Sequence, residues 1–122
     1  MKILVVDDDT GNLALAVRML GRIGGAQVST ATSGAQALEA ASLASFDTIL
    51  LDISMPGMDG TQTCRALRAR PQYQDCRIIA CTAHAGRSEL EDYLRSGFSA
   101  TLTKPFLLDE LRLALMPDTA KG

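Results

Sequence analysis

Short apolar runs alternate with longer segments of helical periodicity along the whole chain. Lys2-Ile3-Leu4-Val5-Val6 is the first run. It lacks polar alternation and is too short for a helix, so it reads as a strand buried on both faces. It stops at Asp7-Asp8-Asp9, after which Leu13, Ala16, Val17, Leu20 and Ile23 recur at the spacing of one helix face. Asp9 or Thr10 can cap this helix, with Asp9 read first as a cap, and Gly24-Gly25 closes it. A second strand is expected at about residues 27–31. Ser33 with Gln36 three residues later forms a capping box, opening a helix with Ala37, Leu38, Ala41 and Ala44 as its stripe.

The third run, Thr48 to Leu51, ends on Asp52 and is followed by Ile53-Ser54-Met55-Pro56-Gly57-Met58-Asp59-Gly60. Asp59 with Gln62 caps a third helix, which turns Cys64, Leu67 and Ala66 inward and ends at Pro71. Arg77 to Cys81 is a fourth strand stopping at Thr82, and a polar turn through His84 leads to a helix containing Leu90, Tyr93 and Leu94. Ser96-Gly97 ends that helix. A fifth strand at about residues 100–103 stops at Lys104-Pro105, and Leu108, Leu111 and Leu115 form the stripe of the last helix.

Five strands alternating with five helices predict an α/β fold, a three-layer parallel sheet with right-handed crossovers. The 122 residues are 47% hydrophobic, which suits one domain with a core over about residues 2–116 and a polar tail at 117–122. The net charge is -2 with no basic block, which argues against direct nucleic-acid binding. No stretch approaches the roughly 18 uninterrupted apolar residues of a membrane span, and the first residues read as strand instead of signal peptide. A cytoplasmic location without membrane insertion is therefore expected. Cys64, Cys76 and Cys81 form no C-x-x-C pair. They are expected to be reduced structural thiols, with Cys76 the candidate for exposure.

The candidate chemistry lies where the strands stop. In a parallel sheet Asp7-Asp8, Asp52, Thr82 and Lys104 all fall on one edge, outside the carboxyl ends where such folds bind ligands. Three carboxylates held together repel unless protonated or bridged, and a hard divalent cation such as Mg²⁺ suits them. With the cation on one side and the Lys104 ammonium on the other, a phosphoryl group on Asp52 has its charge neutralised, and Thr82 can donate a hydrogen bond to it. Asp52 is then a nucleophile that forms an aspartyl phosphate and needs no general base, being already ionised.

These residues together, Val5-Val6-Asp7-Asp8-Asp9, Leu51 to Gly60, Thr82-Ala83 and Lys104-Pro105-Phe106, resemble the response-regulator receiver domain over nearly the whole chain. The resemblance implies a flavodoxin-like, doubly wound (βα)5 fold with strand order 2-1-3-4-5. It implies that Asp52 accepts a phosphoryl group from a histidine kinase or a histidine phosphotransfer protein. Asp8 and Asp52 ligate Mg²⁺ or Mn²⁺ directly, Asp7 acts through metal-bound water, and Ser54 supplies its backbone carbonyl. Thr82 and Lys104 bind phosphoryl oxygens, and the Lys104-Pro105 bond is cis, an isomer open to proline. The first helix docks the donor, and the face of the fourth helix, fifth strand and fifth helix carries output to an unidentified protein target. Asn12 fits a pattern seen in receivers of hybrid kinases.

Two positions modify this picture. Receivers usually carry an aromatic residue three positions before the lysine, and here it is Thr101. Ser54 and His84, two residues after Asp52 and Thr82, flank the expected phosphoryl position and modulate the access of water. Thr101 and His84 are accordingly modulatory candidates, and a ligand role for His84, the single histidine, has no second imidazole to support it. Two other readings compete. A haloacid-dehalogenase-like phosphatase would use Asp7 of Asp7-Asp8-Asp9 as nucleophile, but it needs a late acidic pair where this chain has Thr101-Leu102-Thr103-Lys104. A degenerate receiver acting only as a protein-binding module is opposed by the presence of every residue the chemistry requires.

Overall fold

The computed structural model describes residues 1–83 and 86–116. The chain runs β1 (Lys2–Val6), α1 (Thr10–Ile23), β2 (Gln27–Ala31), α2 (Gly34–Leu43), β3 (Thr48–Asp52) and α3 (Gly60–Arg68). A 3-10 turn at Pro71–Tyr73 precedes β4 (Arg77–Thr82), α4 (Arg87–Arg95), β5 (Ala100–Thr103) and α5 (Leu108–Leu115). All strands are parallel in the order β2-β1-β3-β4-β5, the order implied by the family resemblance. His84 and the polar tail at 117–122 lie outside the described residues.

Strand alternation divides the core into two layers, because successive side chains point to opposite faces. Ile3 and Val5, Leu50, Ile79 and Cys81, and Leu102 face one side, where they pack against Leu13, Ala16 and Leu20 of α1 and Leu111 and Leu115 of α5. Leu4 and Val6, Ile49 and Leu51, and Ile78 and Ala80 face the other, against Ala37 and Ala41 of α2 and Cys64 and Leu67 of α3. The strands β1, β3 and β4 are covered on both faces, which is why they read as unbroken apolar runs.

Several local expectations are met by the caps. Asp9 caps α1 by accepting from the Gly11 and Asn12 N–H groups, and Gly24 closes it at φ 83°. Asp59 and Gln62 form a complete capping box on α3. The box expected at Ser33 is only half formed. The Ser33 hydroxyl accepts from Gln36 N–H, but the Gln36 side chain turns to Thr32, whose N–H and hydroxyl both donate to it at 2.8 Å. Val17, expected in the α1 stripe, is exposed on its flank, and Ala44, expected in the α2 stripe, is exposed because it is the C-cap beyond the end of that helix. Pro71 opens the 3-10 turn two residues after the α3 C-cap Ala69.

That turn was not legible in the periodicity, and it buries two residues. Tyr73 lies under the end of α2 and donates its hydroxyl to the Ala41 and Ala44 carbonyls, both at 2.8 Å. Cys76, expected to be exposed, is buried behind it, and burial pushes its thiol up to about 11. Arg68 holds the segment, its guanidinium donating to the carbonyls of Tyr73, Cys76 and Gly97.

The start of α3 is pressed against the end of β3. A Cβ on Gly60 would strike the Asp52 carbonyl oxygen and stand 2.8 Å from Ile53 Cα, both backbone atoms with little freedom to move. Gly60→Ala is therefore expected to cost about 1–3 kcal/mol, the range for overpacking a tight site. Thermal denaturation should show a midpoint several degrees below wild type, whereas Gly21→Ala, where a Cβ meets nothing within 4 Å, should show no loss.

Candidate functional site

The ladders continue one residue beyond the strand ends and set the site. Asp7 N–H donates to Ala31 O, Ile53 N–H to Cys81 O, and Lys104 N–H to Thr82 O. Register places Asp52 beside Cys81 and Thr82 beside Thr103. Asp7, Asp52 and Lys104 share the alternation phase of Val5, Leu50 and Leu102, so they lean toward the α1 and α5 side. Thr82 has the phase of Ile78 and Ala80 and leans toward α4.

Four strand ends thus bring together the residues expected there. Asp7, Asp8 and Asp52 each offer a carboxylate oxygen within 4.8 Å of the others. Asp7 and Asp52 are buried, while Asp8 is exposed at the rim. Lys104 Nζ donates to Asp52 Oδ1 at 2.7 Å and to Asp7 Oδ2 at 2.9 Å. The other Asp7 oxygen accepts from Asp9 N–H at 2.9 Å, so both of its oxygens are engaged. The buried Thr82 hydroxyl lies 3.1 Å from the Tyr93 hydroxyl of α4. The Lys104-Pro105 bond is cis.

The Asp52 carboxyl is perturbed by its surroundings. Burial raises its pKa above the ordinary 3.8 and the Asp7 and Asp8 charges add to the rise, while the Lys104 ammonium opposes it. For Lys104, burial alone disfavours the charge, but the hydrogen bonds to Asp52 and Asp7 outweigh it and the pKa is raised. The donor set of three carboxylates is all oxygen, compact and excessively negative against one ammonium. It fits a hard divalent cation such as Mg²⁺, which takes carboxylate oxygens and keeps several waters.

Other candidates fall around this centre. Ser54 is exposed in the loop after β3, which is anchored by buried Met55 and closed by Gly60 N–H donating to Ile53 O. Thr101 is half-buried on β5 beside Ala80, on the face that also receives Tyr93. A cleft of about 350 Å³ opens between α1 and the Lys104-Pro105-Phe106 turn, lined by Asp7, Asn12, Leu15 and Met19 among others. The partner that sequence reading missed is Tyr93. The sequence named it only as a member of its helix, and nothing short of the tertiary packing placed its hydroxyl on Thr82.

The response regulator receiver domain family model matches residues 3–116. The chain belongs to that family. This receiver is 40% identical over 113 residues to the signal transduction histidine-protein kinase BarA of Escherichia coli strain K12, a match covering 93% of the chain and 12% of BarA. The chain therefore spans only a small part of the curated relatives it first matches. Among solved structures it is similar to the chemotaxis response regulator CheY4 of Vibrio cholerae, with TM-score 0.88, 32% identity and coverage of 93% of this chain and 94% of that one. It is also similar to the receiver domain of sensor histidine kinase PA1611 from Pseudomonas aeruginosa PAO1, with TM-score 0.83, 34% identity and 93% coverage of both chains. That structure has a magnesium ion coordinated in the active-site cleft.

The receiver is a module of two-component and phosphorelay signalling, a phospho-acceptor switch and not a conventional enzyme. Among the described residues no helix is long and apolar enough to cross a membrane.

The raised pKa of Asp52 has a consequence for stability. The folded receiver holds the Asp52 proton more tightly than the unfolded chain, so ionisation of Asp52 opposes folding and its penalty is fully present at neutral pH. Asp52→Asn should therefore raise the thermal midpoint at pH 7 by a few degrees when a chelator keeps divalent cations away. The gain should shrink as the pH falls toward the ordinary carboxyl value of 3.8 and vanish below it, where the wild-type group is protonated in both states. Calorimetric scans of both proteins across that range measure it.

Proposed function

We propose that Asp52 is the phospho-acceptor, and that Asp7, Asp8, Ser54, Thr82 and Lys104 serve the transfer of a phosphoryl group from a phosphohistidine to it. The carrying observation is the Lys104 ammonium seated between Asp52 and Asp7 at the sheet edge, where it can neutralise an oxygen of the incoming group. An Asp52 carboxylate oxygen attacks the phosphorus, the phosphorus–nitrogen bond breaks, and its electron pair returns to the donor imidazole. To end the signal, water attacks the phosphorus, the bond from phosphorus to the Asp52 oxygen breaks with its electron pair left on the carboxylate, and inorganic phosphate departs. The receiver thus catalyses its own phosphorylation and dephosphorylation by holding the reacting groups in place.

Each remaining residue has a chemical part in that scheme. Asp8 and Asp52 would hold Mg²⁺ or Mn²⁺ together with the Ser54 backbone carbonyl, and Asp7 would act through water while anchoring Lys104. The cation, when bound, neutralises phosphoryl oxygen charge. Thr82 donates to a second phosphoryl oxygen, and His84 and Thr101 modulate lifetime and response. The donor is a histidine kinase or a histidine phosphotransfer protein docking along α1 beside the cleft. Output passes to a protein target through the α4, β5 and α5 face, in a cytoplasmic setting and without nucleic acid or membrane insertion. Residues 1–122 act as one receiver unit.

An Asp7 nucleophile is disfavoured by the geometry, since both Asp7 oxygens already accept hydrogen bonds. A purely protein-binding receiver is disfavoured by the full set of acids, hydroxyl and amine at one edge.

Incubation with Mg²⁺ and a small phosphodonor such as acetyl phosphate should add one phosphoryl group, read by intact mass. Asp52→Asn should abolish the addition. Lys104→Ala should slow it by about a hundredfold, the scale for removing one donor that faces developing charge. Label on Asp7, or phosphorylation of Asp52→Asn at the wild-type rate, would overturn the assignment. Persistent absence of label with every donor, phosphohistidine proteins included, would favour the protein-binding reading.

A further inference from the structure

Helix α4 buries none of its residues, yet its tyrosine reaches the site from the side. The half-buried Tyr93 ring packs edge-on against Phe98, with centroids 6.0 Å apart at 80°. Phe98 is buried in the core layer that also holds Ala80. From that footing the Tyr93 hydroxyl meets Thr82 Oγ1 at 3.1 Å, and either oxygen can be the donor. Among the described residues, this is the side-chain hydrogen bond that ties Arg87–Arg95 to a strand. Thr101 is half-buried on β5 in register with Ala80, on the same face of the sheet.

The hydrogen-bond inventory links this contact to Asp52. A threonine hydroxyl carries one proton and two lone pairs, and a phosphoryl oxygen only accepts. A phosphoryl group on Asp52 therefore draws the Thr82 proton, leaving Thr82 an acceptor toward α4. The Tyr93 hydroxyl must then donate to Thr82 or part from it. Either response changes the hydroxyl's bonding and, through the ring, the seat of the helix. We propose that Tyr93 is the positioning residue through which a phosphoryl group on Asp52, by way of Thr82, sets the conformation of helix α4. This rests on the assignment of Asp52 as acceptor and Thr82 as phosphoryl ligand. It identifies which residue of this chain carries the state of that site outward.

The test uses the two tyrosines of the chain, Tyr73 and Tyr93, and the absence of tryptophan. The full chain is prepared with ring-carbon-13 tyrosine, and the Tyr93 resonance is identified as the one lost in Tyr93→Phe. Phosphorylation with acetyl phosphate or phosphoramidate and Mg²⁺ is followed by intact mass in the same samples. In phosphorylated wild type the Tyr93 hydroxyl-bearing carbon should shift, while that of Tyr73, held by the Ala41 and Ala44 carbonyls, should not. Amide hydrogen exchange over residues 87–95 should change by about fivefold on phosphorylation in wild type, the population change corresponding to one hydrogen bond. In Tyr93→Phe, which keeps the ring and its packing on Phe98, phosphorylation should still occur but that change should be lost.

A Tyr93 resonance that ignores a phosphoryl group shown by mass to be present overturns the proposal, and this reading needs only the wild-type protein. An α4 response of equal size in Tyr93→Phe overturns it as well. If no phosphoryl group is gained with either small donor or with a phosphohistidine protein, the acceptor assignment itself fails, an outcome recorded by mass alone.

Discussion

The Lys104 ammonium stands 2.7 Å from Asp52 and 2.9 Å from Asp7, and it allows two buried carboxylates to lie side by side at the edge of the sheet. Burial raises the pKa of Asp52 and the charges of Asp7 and Asp8 raise it further, while the Lys104 ammonium opposes the rise. Lysine restores the charge balance in part, and the exposed Asp8 leaves the cluster negative enough to take a divalent ion. The interaction depends on the fold because its three members come from the ends of β1, β3 and β5.

Strand alternation then distributes the work. Asp7, Asp52 and Lys104 lean to one side of the sheet, beside the cleft along α1, while Thr82 leans to the other, beneath α4. A group bound at Asp52 therefore lies between two layers that are otherwise separated by a closed sheet. The α1 side and the α4 side of the site differ by one step in side-chain phase. Gly60 shows how little slack there is, since its α carbon sits where no side chain fits against the Asp52 carbonyl.

Where sequence reading departed from the structure, competition among local partners or a turn without periodicity was responsible. Gln36 chose the two donors of Thr32 over the Ser33 backbone, a choice that spacing alone does not reveal. Val17 is an apolar residue at the flank of its stripe, where one step around the helix exchanges core for solvent. Tyr73 and Cys76 were buried by a 3-10 turn whose three residues are too few to carry a pattern.

The sequence by itself determined the order of elements and the chemistry at their ends. An apolar run that stops on an acid, a threonine or a lysine needs no coordinates to place that residue at a strand terminus, because run length and period are local properties. It therefore marked Asp7, Asp8, Asp52, Thr82 and Lys104 and the helices between them. The tertiary structure alone decided which side chains meet. Tyr93 and Thr82 are eleven residues apart, and their hydroxyls come within 3.1 Å because α4 packs against β5 and the Tyr93 ring rests on Phe98. Periodicity can say that Tyr93 faces the core, but only packing sets the distance and direction that make it a partner of Thr82.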